Sequence, residues 1–141
     1  MMRVEGAREL IANLKRINEK AEKALSNAVK STALSIRGEA IKSIQRGAKT
    51  GDVYSKYQPR REHRASASGQ APATDTGRLV NSIRSDVSGK SAEVSANTEY
   101  AAALEFGTSK MEPRPYLVPA MEKERPNFDR RIRQALSEAA K

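Results

Sequence analysis

One histidine, no cysteine and 17 carboxylates set the side-chain chemistry available to this 141-residue chain. The single imidazole, His63, sits in a Gly-, Ser- and Pro-rich stretch that marks no positioned base. A Ser–His–Asp set is recognised by geometry and not by sequence position. A lone histidine without cysteine gives no His/Cys metal-ligand spacing and no thiolate nucleophile. Glu99, Glu105 and Glu112 are the one carboxylate set that invites a metal reading. A turn separates them, however, and the favoured reading is that Glu105 anchors a backbone amide or a local arginine, with Arg114 the natural candidate. Neither a GxGxxG fingerprint nor a P-loop is present. The expectation is no catalytic residue, no cofactor and no metal.

The other constellation is basic. Arg60, Arg61 and Arg64 cluster around His63, close in sequence to Tyr54 and Tyr57. Basic groups interleaved with aromatics can grip phosphates and stack on bases. The same composition also describes a solvated mobile loop, which is favoured here, or an arm that orders against a neighbouring subunit. Formal net charge is +9 with a pI near 10.0, which fits an anionic partner or a merely basic assembly protein. Residues 1–46 hold ten Lys/Arg against five Asp/Glu, 47–75 five against three, and 76–141 eleven against nine. The excess thus lies mostly at the N-terminal end.

Hydrophobic residues are 38% and aromatics 4% of the chain, against roughly 45–50% apolar in a typical domain. Two consequences are expected together: part of the chain stays unpacked when alone, and part of its core comes from neighbouring subunits. No apolar run approaches the roughly 20 residues of a membrane span, and the N-terminus lacks an apolar signal-peptide core. The chain reads as a single domain, cytoplasmic when made.

Periodicity places the elements. Leu10, Leu14, Ile17, Ala21, Ala24 and Ala28, continuing through Ala33, Ile36, Ala40 and Ile44, mark one face of a long helix over about 5–46. Gly38 is its weak point, and Gly47 its C-cap. The seam is too alanine-rich to predict a coiled coil. Residues 47–75 show no periodicity and read as a long loop or arm. Asp75 or Thr76 is a candidate cap for a helical turn at 77–82. Two strands, Ile83–Val87 and Ala92–Ala96, form a hairpin. A short helix follows over Tyr100–Phe106, burying Tyr100, Ala103 and Leu104 and ended by Gly107. Pro113 and Pro115 keep 111–118 extended. Pro119 opens a C-terminal helix with the stripe Met121, Phe128, Ile132, Leu136, and a kink or interruption is expected near Pro126. The fold class is α+β: two principal helices packed on a small antiparallel sheet, with a long polar loop.

The stretch Tyr100–Ala120, YAAALEFGTSKMEPRPYLVPA, organises the rest. It carries Tyr100-Ala101, Glu105-Phe106-Gly107-Thr108, Arg114-Pro115-Tyr116 and Pro119-Ala120. Upstream, after Pro72, come Thr76-Gly77-Arg78-Leu79 and Ser82-Ile83. In this order and spacing the two blocks resemble the head–tail joining, or neck, proteins of long-tailed double-stranded DNA phages, the tail-component group typified by the tenth gene product of a lambdoid coliphage. The resemblance extends over essentially the whole chain. Pro126 and the loop Ala67-Ser68-Gly69-Gln70 depart from the family pattern. The resemblance implies a non-catalytic virion protein, made in the host cytoplasm and placed between head and tail. It further implies a homo-oligomeric ring, sixfold favoured, bounded by head-completion and by tail-terminator or tail-tube proteins, with at most weak contact to channel DNA and none to membrane. The motif residues would fix the fold and the interfaces. A tail terminator is the nearest alternative, and a basic nucleic-acid-binding protein the alternative from another class.

Overall fold

The computed structural model describes residues 6–57 and 60–141. Helix α1 runs unbroken over Ala7–Arg46, and the glycine at position 38 does not interrupt it. At about 1.5 Å per residue its 40 residues span about 60 Å. Gly47 caps it in an extended conformation, donating to Ser43 O at 3.0 Å. Lys49 Nζ then reaches back to Ser43 O (3.1 Å) and across to Ala71 O (2.9 Å), and burial pushes its pKa down.

The polar stretch 47–75 is not structureless. It contains an antiparallel hairpin, β1 (Val53–Tyr57) with β2 (Arg60–Arg64), in the register Val53↔Arg64 to Tyr57↔Arg60. Ladder-like bonds extend it, Gly51 N–H to Ala65 O and Ala65 N–H to Asp52 O, each 2.9 Å. Gln70 secures the base: its Oε1 accepts from Thr50 N–H (3.0 Å) and Ala67 N–H (2.9 Å). The strands are mostly exposed, and the apolar residues of β1, Val53, Tyr54 and Tyr57, are exposed and fall on both faces, so no apolar period betrays them.

Helix α2 (Arg78–Ser82) follows Gly77, whose left-handed backbone (φ 78°) opens it without a side-chain cap, so neither Asp75 nor Thr76 plays that part. Strands β3 (Ile83–Ser88) and β4 (Ser91–Ala96) pair antiparallel, Ile83 opposite Ala96. The strand content is therefore two separate hairpins instead of one small sheet. Helix α3 (Ala101–Phe106) and helix α4 (Leu117–Ala139) complete the α+β chain. Helix α4 starts two residues before Pro119 and continues through Pro126.

The core gathers Ala40 and Ile44 of α1 with Leu79, Ile83, Ala101, Tyr116 and Ala120. Helix α4 lies antiparallel on α1. Lys123 meets Glu39 at 2.6 Å, whereas Arg131, further along α4, meets Thr32 at 3.0 Å, earlier in α1. Apart from Ile44, the buried positions of the two helices are small or polar: Ala28, Thr32, Ala33 and Ala40 in α1, and Ala120, Glu124, Ala135 and Ala139 in α4. Small side chains let helix axes approach closely. The larger residues of the expected α4 stripe consequently fall at the margins, Met121 and Leu136 exposed and Phe128 and Ile132 half-buried. Glu124, buried in this seam, is held by Arg131 at 3.6 Å and by Asn127 Nδ2 at 3.3 Å.

Candidate functional site: the Glu105 clasp and the projecting arm of α1

The 100–120 stretch resolves into one local device. Glu105 leaves α3 with only 6% of its surface exposed. Its Oε2 accepts from the N–H groups of Tyr116 (2.8 Å) and Leu117 (3.0 Å), and its Oε1 from Val118 N–H (2.8 Å). These are unpaired donors of the first turn of α4. A carboxylate there satisfies them and complements the helix dipole. Of the two partners expected for Glu105, the backbone amides are realised. Arg114 is not: the ion pairs of the described residues include none between them, and Arg114 instead uses its backbone N–H on Leu104 O (2.6 Å).

Around the clasp the motif residues divide. Tyr116, 1% exposed, donates from its hydroxyl to Ala101 O at 3.2 Å. Burial, then the charge of Glu105 and the neighbouring Tyr100, push its phenol up to about 12. Leu79, Ile83, Ala101 and Ala120 are core. Ser82 Oγ donates to Leu79 O (2.7 Å) and accepts from Asn97 N–H (3.3 Å), tying α2 to the end of β4. Gly107 combines φ 75° with ψ 177°, a region essentially reserved for glycine. A Cβ there would stand 2.8 Å from Met111 O and 2.9 Å from Pro113 Cδ. Thr108 N–H closes the following turn on Met111 O (2.8 Å). Tyr100 is half-buried with the Arg78 guanidinium 5.8 Å from its ring centre. The short helix buries Ala101 and Glu105; Ala103 and Leu104 are only half-buried. Pro115 is half-buried, whereas Phe106, Thr108 and Pro119 are exposed.

The basic cluster is divided by the hairpin. Neighbours along a strand point to opposite faces, so Arg61 and His63 share one face, and Arg60, Glu62 and Arg64 the other. Arg61 is neutralised by Asp75, which also faces Lys56 at 3.6 Å and His63 at 3.9 Å. Hydrogen bonding from Arg61, reinforced by the Arg61, His63 and Lys56 charges, holds the Asp75 carboxyl below the usual range. Arg64 Nη1 donates to Gly51 O at 3.3 Å. Arg60 is exposed beside the 76%-exposed Tyr57. Sequence reading missed the organising role of Asp75, because its partners lie 12 to 19 positions upstream. The three glutamates are likewise dispersed: Glu99 pairs with Arg78 at 3.3 Å, and Glu105 is engaged on the amides. Among the described residues no group of three or more His, Cys, Asp or Glu is placed to hold a metal ion. No helix among them is long and apolar enough to cross a membrane.

A second feature is a surface left exposed among the described residues. Every residue from Ala7 to Lys20 of α1 is exposed except half-buried Ile17. Between the two α1–α4 contacts given above, eight residues of α4 advance against seven of α1. On that pitch Ala139 falls opposite about Leu25, so the first part of α1 runs on beyond the end of α4. It carries Leu10, Ile11 and Leu14, which are 59%, 65% and 57% exposed. The face that α4 covers further along thus continues, with larger side chains, where α4 has ended.

Residues 8–107 match the family model described as "Bacteriophage HK97-gp10, putative tail-component". That match takes in well over half of the chain, from the arm of α1 to Gly107 at the end of α3, and the chain belongs to this family of bacteriophage tail components. The matched region ends before Arg114-Pro115-Tyr116 and α4. No match was found among curated proteins or among solved structures.

Proposed function

We propose that the protein is a structural, non-enzymatic component of the phage neck that completes the junction between the DNA-filled head and the tail, assembling as a homo-oligomeric ring with sixfold symmetry favoured. The carrying observation is the projecting arm of α1: three large apolar side chains, more than half of each exposed among the described residues. Contiguous exposed apolar surface marks an interaction site. An arm that must be covered by a different surface of the next subunit makes a head-to-tail contact, the kind that closes rings. Membership of a tail-component family supplies the setting.

On this reading the subunit is made in the host cytoplasm and ends in the virion, flanked by head-completion and tail-terminator or tail-tube proteins. Contact with channel DNA is weak and non-specific, because Arg61 is committed to Asp75 and Arg60 and Arg64 lie on the other face of the hairpin. Capping of the tail tube as a terminator is the alternative within the same class. Electron microscopy of lysates from phage lacking this gene separates them. Full heads beside free tails of normal length support joining, overlong tails make the protein a terminator, and normal particles overturn both.

A further inference from the structure

Among the described residues three buried side-chain polar atoms lack a hydrogen-bond partner: Ser66 Oγ, Thr98 Oγ1 and Arg114 Nε. Ser66 and Arg114 line the same cavity, about 660 Å³, between the β1–β2 hairpin, the segment leading into α2, and α3. Its wall also includes His63, Asp75, Arg78 and Tyr100. Ser66 is 1% exposed and Arg114 half-buried.

The buried Nε–H of half-buried Arg114 needs a partner, since a donor withdrawn from water and left unsatisfied is costly. Among the cavity's described lining residues Asp75 carries the one carboxylate. Asp75 serves Arg61, Lys56 and His63, both oxygens of Glu105 serve the α4 amides, and Glu99 pairs with Arg78. Arg114 forms no ion pair with any described residue. We infer that this cavity is a socket for a carboxylate carried by a neighbouring protein subunit, received by the Arg114 guanidinium with the Ser66 hydroxyl as a second donor. A planar two-oxygen acceptor matches the guanidinium fork. A side-chain carboxylate on its flexible stem can enter a cavity of this size. The inference rests on reading the chain as an assembly subunit and names the contact that one of its surfaces makes.

The test is a nitrogen-15 NMR titration of the full chain, following the Arg114 Nε–H resonance with sodium acetate, sodium phosphate and sodium chloride at matched ionic strength. A saturable shift with acetate, tighter than with phosphate, is expected. In Arg114→Gln the acetate response of the amides of Ser66 and of Thr108, which also lines the cavity, weakens about tenfold or more, the worth of a hydrogen bond to a charged group. Shifts that follow ionic strength alike in all three salts, or tighter binding of phosphate, overturn the socket. Should Arg114→Gln fail to fold, the wild-type titration still decides. Mixing labelled wild-type protein with unlabelled Arg114→Gln protein identifies the source. An acetate-like shift assigns the carboxylate to a second copy, and its absence alongside acetate binding assigns it to a different tail protein. The titration involves no virions, so failure of the socket and failure of the neck reading are separate results.

Discussion

Replacing Glu105 tests the clasp that joins α3 to α4. Its two oxygens receive three N–H groups at 2.8, 3.0 and 2.8 Å, in a site that leaves the residue 6% exposed. A hydrogen bond to a charged group contributes about 1.5–3 kcal/mol, and a buried donor left unsatisfied costs about 1–3 kcal/mol. Water reaching the freed amides of half-buried Leu117 and exposed Val118 recovers part of this, so Glu105→Ala is expected to cost about 3–5 kcal/mol. Against a total stability of about 5–15 kcal/mol, that brings the variant close to unfolding. Glu105→Gln keeps one acceptor oxygen and turns an NH₂ towards donors, and should cost about 2 kcal/mol. Urea unfolding followed by circular dichroism, at one fixed protein concentration because self-association shifts apparent stability, gives both values. Hydrogen exchange at the amides of residues 116–118 localises the effect. A loss below about 1 kcal/mol for Glu105→Ala, the size of an ordinary surface change, together with unchanged exchange at those amides would refute the clasp.

Three further outcomes follow from the same geometry. Gly107→Ala forces a side chain into a glycine-only conformation and against Met111 O and Pro113; a loss of about 1–3 kcal/mol is expected in the same urea assay. The Tyr116 phenol ionises at about 12 in the folded chain, against 10.0 ordinarily. The native state therefore holds a proton that the unfolded state has lost between those values. The Tyr116 contribution is full below pH 10.0 and falls by about 2–3 kcal/mol as pH rises to 12. Tyr116→Phe should lack this decline, while losing about 1 kcal/mol at neutral pH with its bond to Ala101 O. Comparing the pH dependence of wild-type and variant stability isolates this group from other alkaline titrations. Finally, Leu10→Asp with Leu14→Asp should leave the melting temperature of the isolated subunit nearly unchanged, because both side chains already face solvent, while sedimentation velocity shows loss of the oligomer.

The sequence made some of this legible for identifiable reasons. Steps of three and four located both principal helices, and the β3–β4 hairpin was visible in the alternation around Val94. Glu105 was read as an anchor for a local arginine or a backbone amide; the amides are its partners, and Arg114, the arginine expected, is not. The β1–β2 hairpin escaped because its few apolar residues, Val53, Tyr54 and Tyr57, are exposed on both faces, and Asp75, Gln70 and main-chain bonds hold it in place of an apolar face. Burial within α4 was misread for a related reason. Apolar residues mark a buried face only where the contact has room for them, and the α1–α4 seam is built largely from alanines, with a buried Glu124 paired to half-buried Arg131. The linear run Arg60, Arg61, Arg64 looked like one patch, yet strand geometry splits it. The unpaired Arg114 and Ser66 were invisible, since only tertiary structure brings 66 and 114 to one cavity.

Immunogold electron microscopy of purified virions, with antibody raised against this chain, tests the central claim most directly. A ring component of the head–tail junction predicts gold confined to the neck of intact particles. Virions without gold, or gold distributed along the whole tail, would contradict it.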